Sequence, residues 1–184
     1  MSGPVRVAIV GFGRFGRLHA LAAEQAGAQI AGIVDPRPNA LTAAGEVYPH
    51  AGLFESVGDM LSAGPVDAAV VASSEMTHFL ISMELVEAGI PVLVEKPVAA
   101  DSEEARRLLA AAQANGTYLQ AGFILRYEPR HLMIREAITE GRLGEVQLLR
   151  AKRDVSRGWF HAYGHSVNPI LETCIHDVDL ALWL

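Results

Sequence analysis

Three groups of residues carry chemistry by type and spacing. The first is Gly11-Phe12-Gly13-Arg14-Phe15-Gly16, a GxGxxG turn that directly follows an apolar run. Gly11 suits a tight turn, Gly13 lets backbone approach a pyrophosphate, and Gly16 lets a helix pack close to a strand. A helix starting there offers N–H groups and a partial positive charge to phosphate. Asp35 ends the next apolar run. A carboxylate there accepts hydrogen bonds from the hydroxyls of an adenosine ribose and repels a 2′-phosphate, which favours NAD over NADP. Arg37, two residues on, works against that preference. The second group is Lys96, after the apolar run Val92-Leu93-Val94, at the strand end where open α/β sheets place their ligands. The third is His176, with Glu172 four residues before it and Asp179 three after. On a helix these spacings share one face. A carboxylate there orients an imidazole, and histidine suits the removal of a hydroxyl proton near neutral pH.

These residues need a scaffold, and the pattern of apolar runs supplies one. Buried strands are expected over 5–10, 29–34, 67–72, 92–94 and 118–122, with a short edge strand over 52–55. Helices are expected over 14–26, 38–45, 56–63, 75–88 and 101–115, the last capped by Asp101 or Ser102 with Glu103 and Glu104 in its first turn. Strand–helix alternation with short connections predicts a doubly wound parallel sheet, a Rossmann-type α/β domain over 1–122. The texture then changes. A helix over 128–140, a turn over 141–144, a partly alternating strand over 145–154, a loop over 155–168 and a helix over 169–184 predict an incomplete second α/β domain over 123–184.

Composition narrows the function classes. The formal net charge of −6 argues against nucleic acid or an anionic membrane as partner. The single cysteine, Cys174, allows no intrachain disulfide, which fits a reducing compartment. The start, Met1-Ser2-Gly3-Pro4, carries no secretory pattern, and no apolar stretch reaches spanning length. These features predict a cytoplasmic protein. His176 with Asp177 or Glu172 completes no ligand set, so no metal is expected.

Several further segments carry a family resemblance. They are the run Val7 to Gly16, the pair Thr77-His78, and Ala88-Gly89-Ile90-Pro91-Val92-Leu93-Val94-Glu95-Lys96-Pro97. Gly122 to Pro129, Gly141-Arg142-Leu143-Gly144-Glu145-Val146 and Ile175-His176-Asp177-Val178-Asp179 complete the set. Over essentially its whole length the chain resembles the Gfo/Idh/MocA family, the glucose–fructose oxidoreductase and inositol dehydrogenase group. The resemblance implies NAD(P)-dependent oxidation or reduction of a sugar, a polyol or a related hydroxyl or carbonyl compound. It implies a second domain whose open sheet covers the active site and forms homo-oligomers where that sheet is present. By the same resemblance Lys96 lies beside the nicotinamide and donates to the substrate oxygen, and Glu95 shapes that end of the site. The family usually has aspartate where Glu172 stands. The resemblance also suggests a cis Lys96–Pro97 bond. Phe12, Arg14, Phe15 and Ser73 join the candidate cofactor contacts, and His78 either caps a helix or packs near the cofactor. His161, Tyr163 and His165 are candidate substrate contacts.

Family members are much longer, and most of the second sheet would lie beyond Leu184. Two other readings therefore stay open beside the oxidoreductase. One is a shortened, non-catalytic NAD(H)-binding module. The other is a hydrolase that cleaves glycosides through a transient, NAD-mediated oxidation.

Overall fold

The computed structural model describes residues 3–154, 156–158 and 170–184. They form two compact units, Met1–Gly122 and Phe123–Leu184. His161, Tyr163, His165 and Pro169 lie outside the described residues, as does most of the loop expected over 155–168.

The first unit is built on a six-stranded, all-parallel sheet of β1 (Arg6–Val10), β2 (Gln29–Val34), β3 (Gly52–Phe54), β4 (Ala68–Val71), β5 (Val92–Val94) and β6 (Leu119–Ala121). Their spatial order is β3-β2-β1-β4-β5-β6, the doubly wound arrangement the alternation predicts. Helices α1 (Arg14–Gln25), α2 (Pro38–Val47), α3 (Val57–Ala63), α4 (His78–Glu87) and α5 (Ser102–Ala114) connect the strands. Successive side chains of a strand point to opposite faces, and β1 shows the consequence. Ala8 and Val10 pack into one buried cluster with Val71, Leu85 and Val94. Val7 and Ile9 pack into a second with Phe12, Ala20 and Ile33. Both faces are covered, so the strands read as continuous apolar runs rather than alternating ones.

Local signals placed several boundaries. Asp101 caps α5, its carboxylate accepting from the N–H groups of Glu103 (2.8 Å) and Glu104 (2.9 Å). Residues 75–88 differ from the single helix expected. Glu75–Thr77 is a 3₁₀ turn, and α4 starts only at His78.

Among its described residues the second unit carries two α-helices, each led in by a tighter or wider turn. A 3₁₀ turn (Ile124–Tyr127) leads into α6 (Pro129–Thr139), and a π-helical turn (Ile170–Cys174) leads into α7 (Ile175–Trp183). The buried Asp179 carboxylate accepts from Arg126 Nε at 2.9 Å, and the Arg126 guanidinium lies over the rings of Phe123 and Trp183. Arg135 donates to the Trp183 carbonyl. The strand expected over 145–154 does not form; these residues are irregular. A strand needs a ladder partner for its N–H and C=O groups, and residues 123–184 present none among those described. Leu148 stands 84% exposed as a result. The described part of the incomplete second domain is therefore two helices with their leading turns and an irregular segment.

Candidate functional site

The strand order reverses between β1 and β4, and open α/β sheets leave a crevice outside the strand ends at such a point. A cleft of about 720 Å³ opens there, lined by the ends of β1, β2 and β4 and by the turns that follow them.

The glycine turn forms its floor, and the three glycines differ in task. Gly11 has φ +90°, and a Cβ on it would meet the Ser73 backbone at 2.6 Å. Glycine reaches this conformation and this approach without a steric penalty. A Cβ on Gly16 would stand 1.8 Å from the Gly11 carbonyl oxygen, so α1 can lie this close to the turn only with glycine there. A Cβ on Gly13 would meet nothing within 4 Å. It would project into open space, although Gly13 lines the cleft. The protein's own packing therefore does not require glycine at 13. Gly13 is also the N-cap of α1 and supplies no capping side chain. The first N–H groups of a helix have no partners within it, which makes this end a seat for phosphate.

Asp35 closes the far end of the cleft. It is 1% exposed and accepts four hydrogen bonds: from the N–H of Phe12 (2.8 Å), the N–H of Arg37 (3.0 Å), Arg37 Nε (2.9 Å) and Arg37 Nη2 (2.8 Å). Burial alone would raise its pKa. The Arg37 guanidinium and the two backbone donors outweigh burial and hold the carboxyl below its ordinary range. On the third wall, Ser73 and Thr77 share a hydroxyl–hydroxyl hydrogen bond of 2.9 Å.

At the end of β5 comes Glu95-Lys96-Pro97, with the Lys96–Pro97 bond cis. Glu95 is buried, and His19 Nε2 on α1 lies 2.7 Å from its Oε1. Burial would raise the Glu95 carboxyl, but the hydrogen bond and charge of His19, together with Lys96, hold it low. His78 is buried too, with Nδ1 2.7 Å from the Pro97 carbonyl oxygen and Nε2 3.2 Å from that of Ser73. Its ring spaces the β4 turn from the β5 turn.

The structure thus gathers Gly11, Gly13, Arg14, Phe15, Asp35, Arg37 and Ser73 around one cleft. Phe12 points its ring into the core, edge-on to Tyr48, and contributes its N–H to Asp35 instead. Gly16, His78, Glu95 and Lys96 are not part of the cleft wall. The sequence reading missed Glu55, Ser56, Thr77 and Glu84 on that wall, and it missed His19. One signal could have found His19: it follows Gly16 by three residues and so shares that residue's inward helix face. In the second unit His176 lies on α7, and of Glu172 only the backbone is described. Asp179, expected on the same face as His176, is engaged by Arg126, and Asp177 pairs with Arg153 at 2.8 and 3.0 Å.

The low pKa values of Asp35 and Glu95 set a sign for pH. A carboxyl whose folded pKa lies below its unfolded one stabilises the fold above the unfolded value, about 4, and this is lost as pH falls through the folded value. The melting temperature should therefore fall on acidification below about pH 4, and Asp35→Asn should make that fall shallower. Equal acid slopes for the two proteins would contradict the arrangement described.

Comparison with known proteins agrees with this geometry. The model of an oxidoreductase family with an NAD-binding Rossmann fold matches residues 5–123. An inositol 2-dehydrogenase of Corynebacterium glutamicum is 32% identical over 188 residues, covering 100% of this chain and 55% of that protein. Inositol 2-dehydrogenase 1 of Saccharopolyspora erythraea is 35% identical, covering 98% of this chain and 54% of that protein. The WlbA dehydrogenase of Bordetella pertussis, solved with NADH and UDP-GlcNAcA, superposes with a TM-score of 0.87 at 28% identity, covering 100% of this chain and 56% of that one. The chain spans about half the length of the curated relatives it matches. Among the described residues no helix is long and apolar enough to cross a membrane. With the family model spanning the whole sheet, the glycine turn and Asp35, the chain belongs to the Gfo/Idh/MocA oxidoreductase family, which has an NAD-binding Rossmann fold.

Proposed function

We propose that this chain binds NAD in the β1–β4 cleft and serves in hydride transfer between that cofactor and a polyol of the inositol type. The observation that carries the reading is the pairing of a bare Gly13, open to the cleft, with a buried, ionised Asp35 at its end. The first suits a pyrophosphate and the second a ribose diol. The inositol dehydrogenases among the relatives support the substrate class.

NAD, when bound, supplies the hydride acceptor. The remaining work falls to side chains. Lys96, at the C-terminal end of β5, places an ammonium where negative charge develops on the substrate oxygen. His19 and Glu95 hold the turn that carries it. His176 takes the hydroxyl proton on a ring nitrogen, so that an alcohol leaves as a carbonyl compound. Asp179 accepts from Arg126 and so ties α7 to the turn before α6.

Following NADH absorbance while the chain is mixed with NAD and a panel of inositols, other polyols and sugars tests this reading. Turnover is expected with a polyol. Lys96→Met should lower it about a hundredfold. Tight NADH binding with no turnover on any polyol would overturn the substrate reading and leave a nucleotide-binding module.

A further inference from the structure

The Asp35 carboxylate is already full. A carboxylate has roughly four acceptor positions, and four N–H groups occupy them here. Two of the donors, the amides of Phe12 and Arg37, belong to the backbone and are fixed by the fold. The other two, Nε and Nη2 of Arg37, belong to a side chain that is 59% exposed. A ribose diol can therefore reach this carboxylate only in exchange for the guanidinium.

We infer that Arg37 is a displaceable placeholder, which occupies the ribose-accepting side of Asp35 until the cofactor arrives. The inference rests on the cofactor reading above. Its physical logic follows from burial. Asp35 is almost wholly shielded from water, and a shielded carboxylate without donors is costly. The guanidinium fork supplies two donors in matching geometry, so the site stays ionised and shaped while empty. Because most of the Arg37 side chain stays in water, letting go is cheap. The released guanidinium remains at the cleft rim, next to the ribose. NADP carries a 2′-phosphate there, which Asp35 repels and the freed Arg37 attracts. One side chain thus acts in opposite directions on the two cofactors: it competes with NAD and it assists NADP.

Calorimetric titration of the full chain with NADH and with NADPH, at one fixed ionic strength, tests this. Arg37→Gln keeps the backbone amide that holds Asp35 and removes the competing fork. It should raise NADH affinity about threefold, the scale of an exposed ion pair, and lower NADPH affinity about tenfold, the scale of one lost charge-assisted hydrogen bond. Arg37→Lys keeps the charge without the fork and should fall between wild type and Arg37→Gln for both nucleotides. If NADH binds wild type but Arg37→Gln weakens it, or leaves the NADH-to-NADPH ratio unchanged, the placeholder is wrong while the cofactor reading stands. If wild type binds neither nucleotide, both fall together.

Discussion

Gly13→Val is expected to weaken NADH binding about a thousandfold while the protein still folds. The two halves of that outcome have separate causes. A Cβ at Gly13 meets no protein atom within 4 Å, and the backbone there is extended with a negative φ of −79°, so no left-handed conformation opposes a side chain. Valine is a poorer N-cap than glycine, which costs about 1 kcal/mol, or about 3 °C in a chain of this size. The isopropyl group would then stand in the space from which a pyrophosphate approaches the first turn of α1. Losing two charge-assisted hydrogen bonds of about 2 kcal/mol each gives the expected loss of affinity. Titration of NADH into the variant, paired with its thermal melt, checks both halves.

Three residues later the same type of change should fail in the opposite way. Gly16→Ala puts a methyl group 1.8 Å from the Gly11 carbonyl oxygen, with the Ile9 side chain also close at 3.4 Å. The obstacle is backbone, not the tip of a flexible side chain. Relief therefore requires α1 to move off the turn or the turn to move off β1. Both sit against the buried cluster of Ile9, Phe12 and Ala20. Overpacking of side chains costs about 1–3 kcal/mol; a backbone clash of this depth should reach about 4 kcal/mol, a large part of an ordinary domain's stability. Urea unfolding should show a midpoint well below that of wild type, with loss of NADH binding only as a consequence. A wild-type midpoint for Gly16→Ala would show that α1 does not pack against the turn as described.

These contrasting glycines also show what was legible beforehand. The turn, its flanking strands and Asp35 lie within 31 consecutive positions, from Val5 to Asp35. Their signals are local: apolar runs, a fixed glycine spacing and an acidic strand end. The sequence alone therefore supplied the β1 and β2 sides of the cleft, but not the side formed by Glu55, Ser56, Thr77 and Glu84. What it did not supply depends on distant partners. Glu95 is held by His19, 76 residues away, and no spacing rule connects them. Asp179 has the right helical spacing to serve His176, yet Arg126, 53 residues earlier, takes its carboxylate. Spacing states which residues share a face; it does not state which of several charges wins a partner. Arg37 was legible as a nearby cation, but not its two-pronged hold on the Asp35 carboxylate. Residues 145–154 failed for a related reason. Alternation describes the faces of a strand, whereas its existence depends on a neighbour that no local pattern reveals. The π-helical turn at Ile170–Cys174 left no sequence signal that helical periodicity could separate from an ordinary helix start.

On the reading proposed above, the bare backbone at Gly13 and the carboxylate at Asp35 form one nucleotide seat. Its most direct test is a side-by-side calorimetric titration of NADH into wild type and Gly13→Val, both first shown to melt cooperatively. Saturable binding to wild type, absent from the variant over the same concentration range, is the predicted result. Equal affinity for the two proteins, or no binding to wild type, would contradict it.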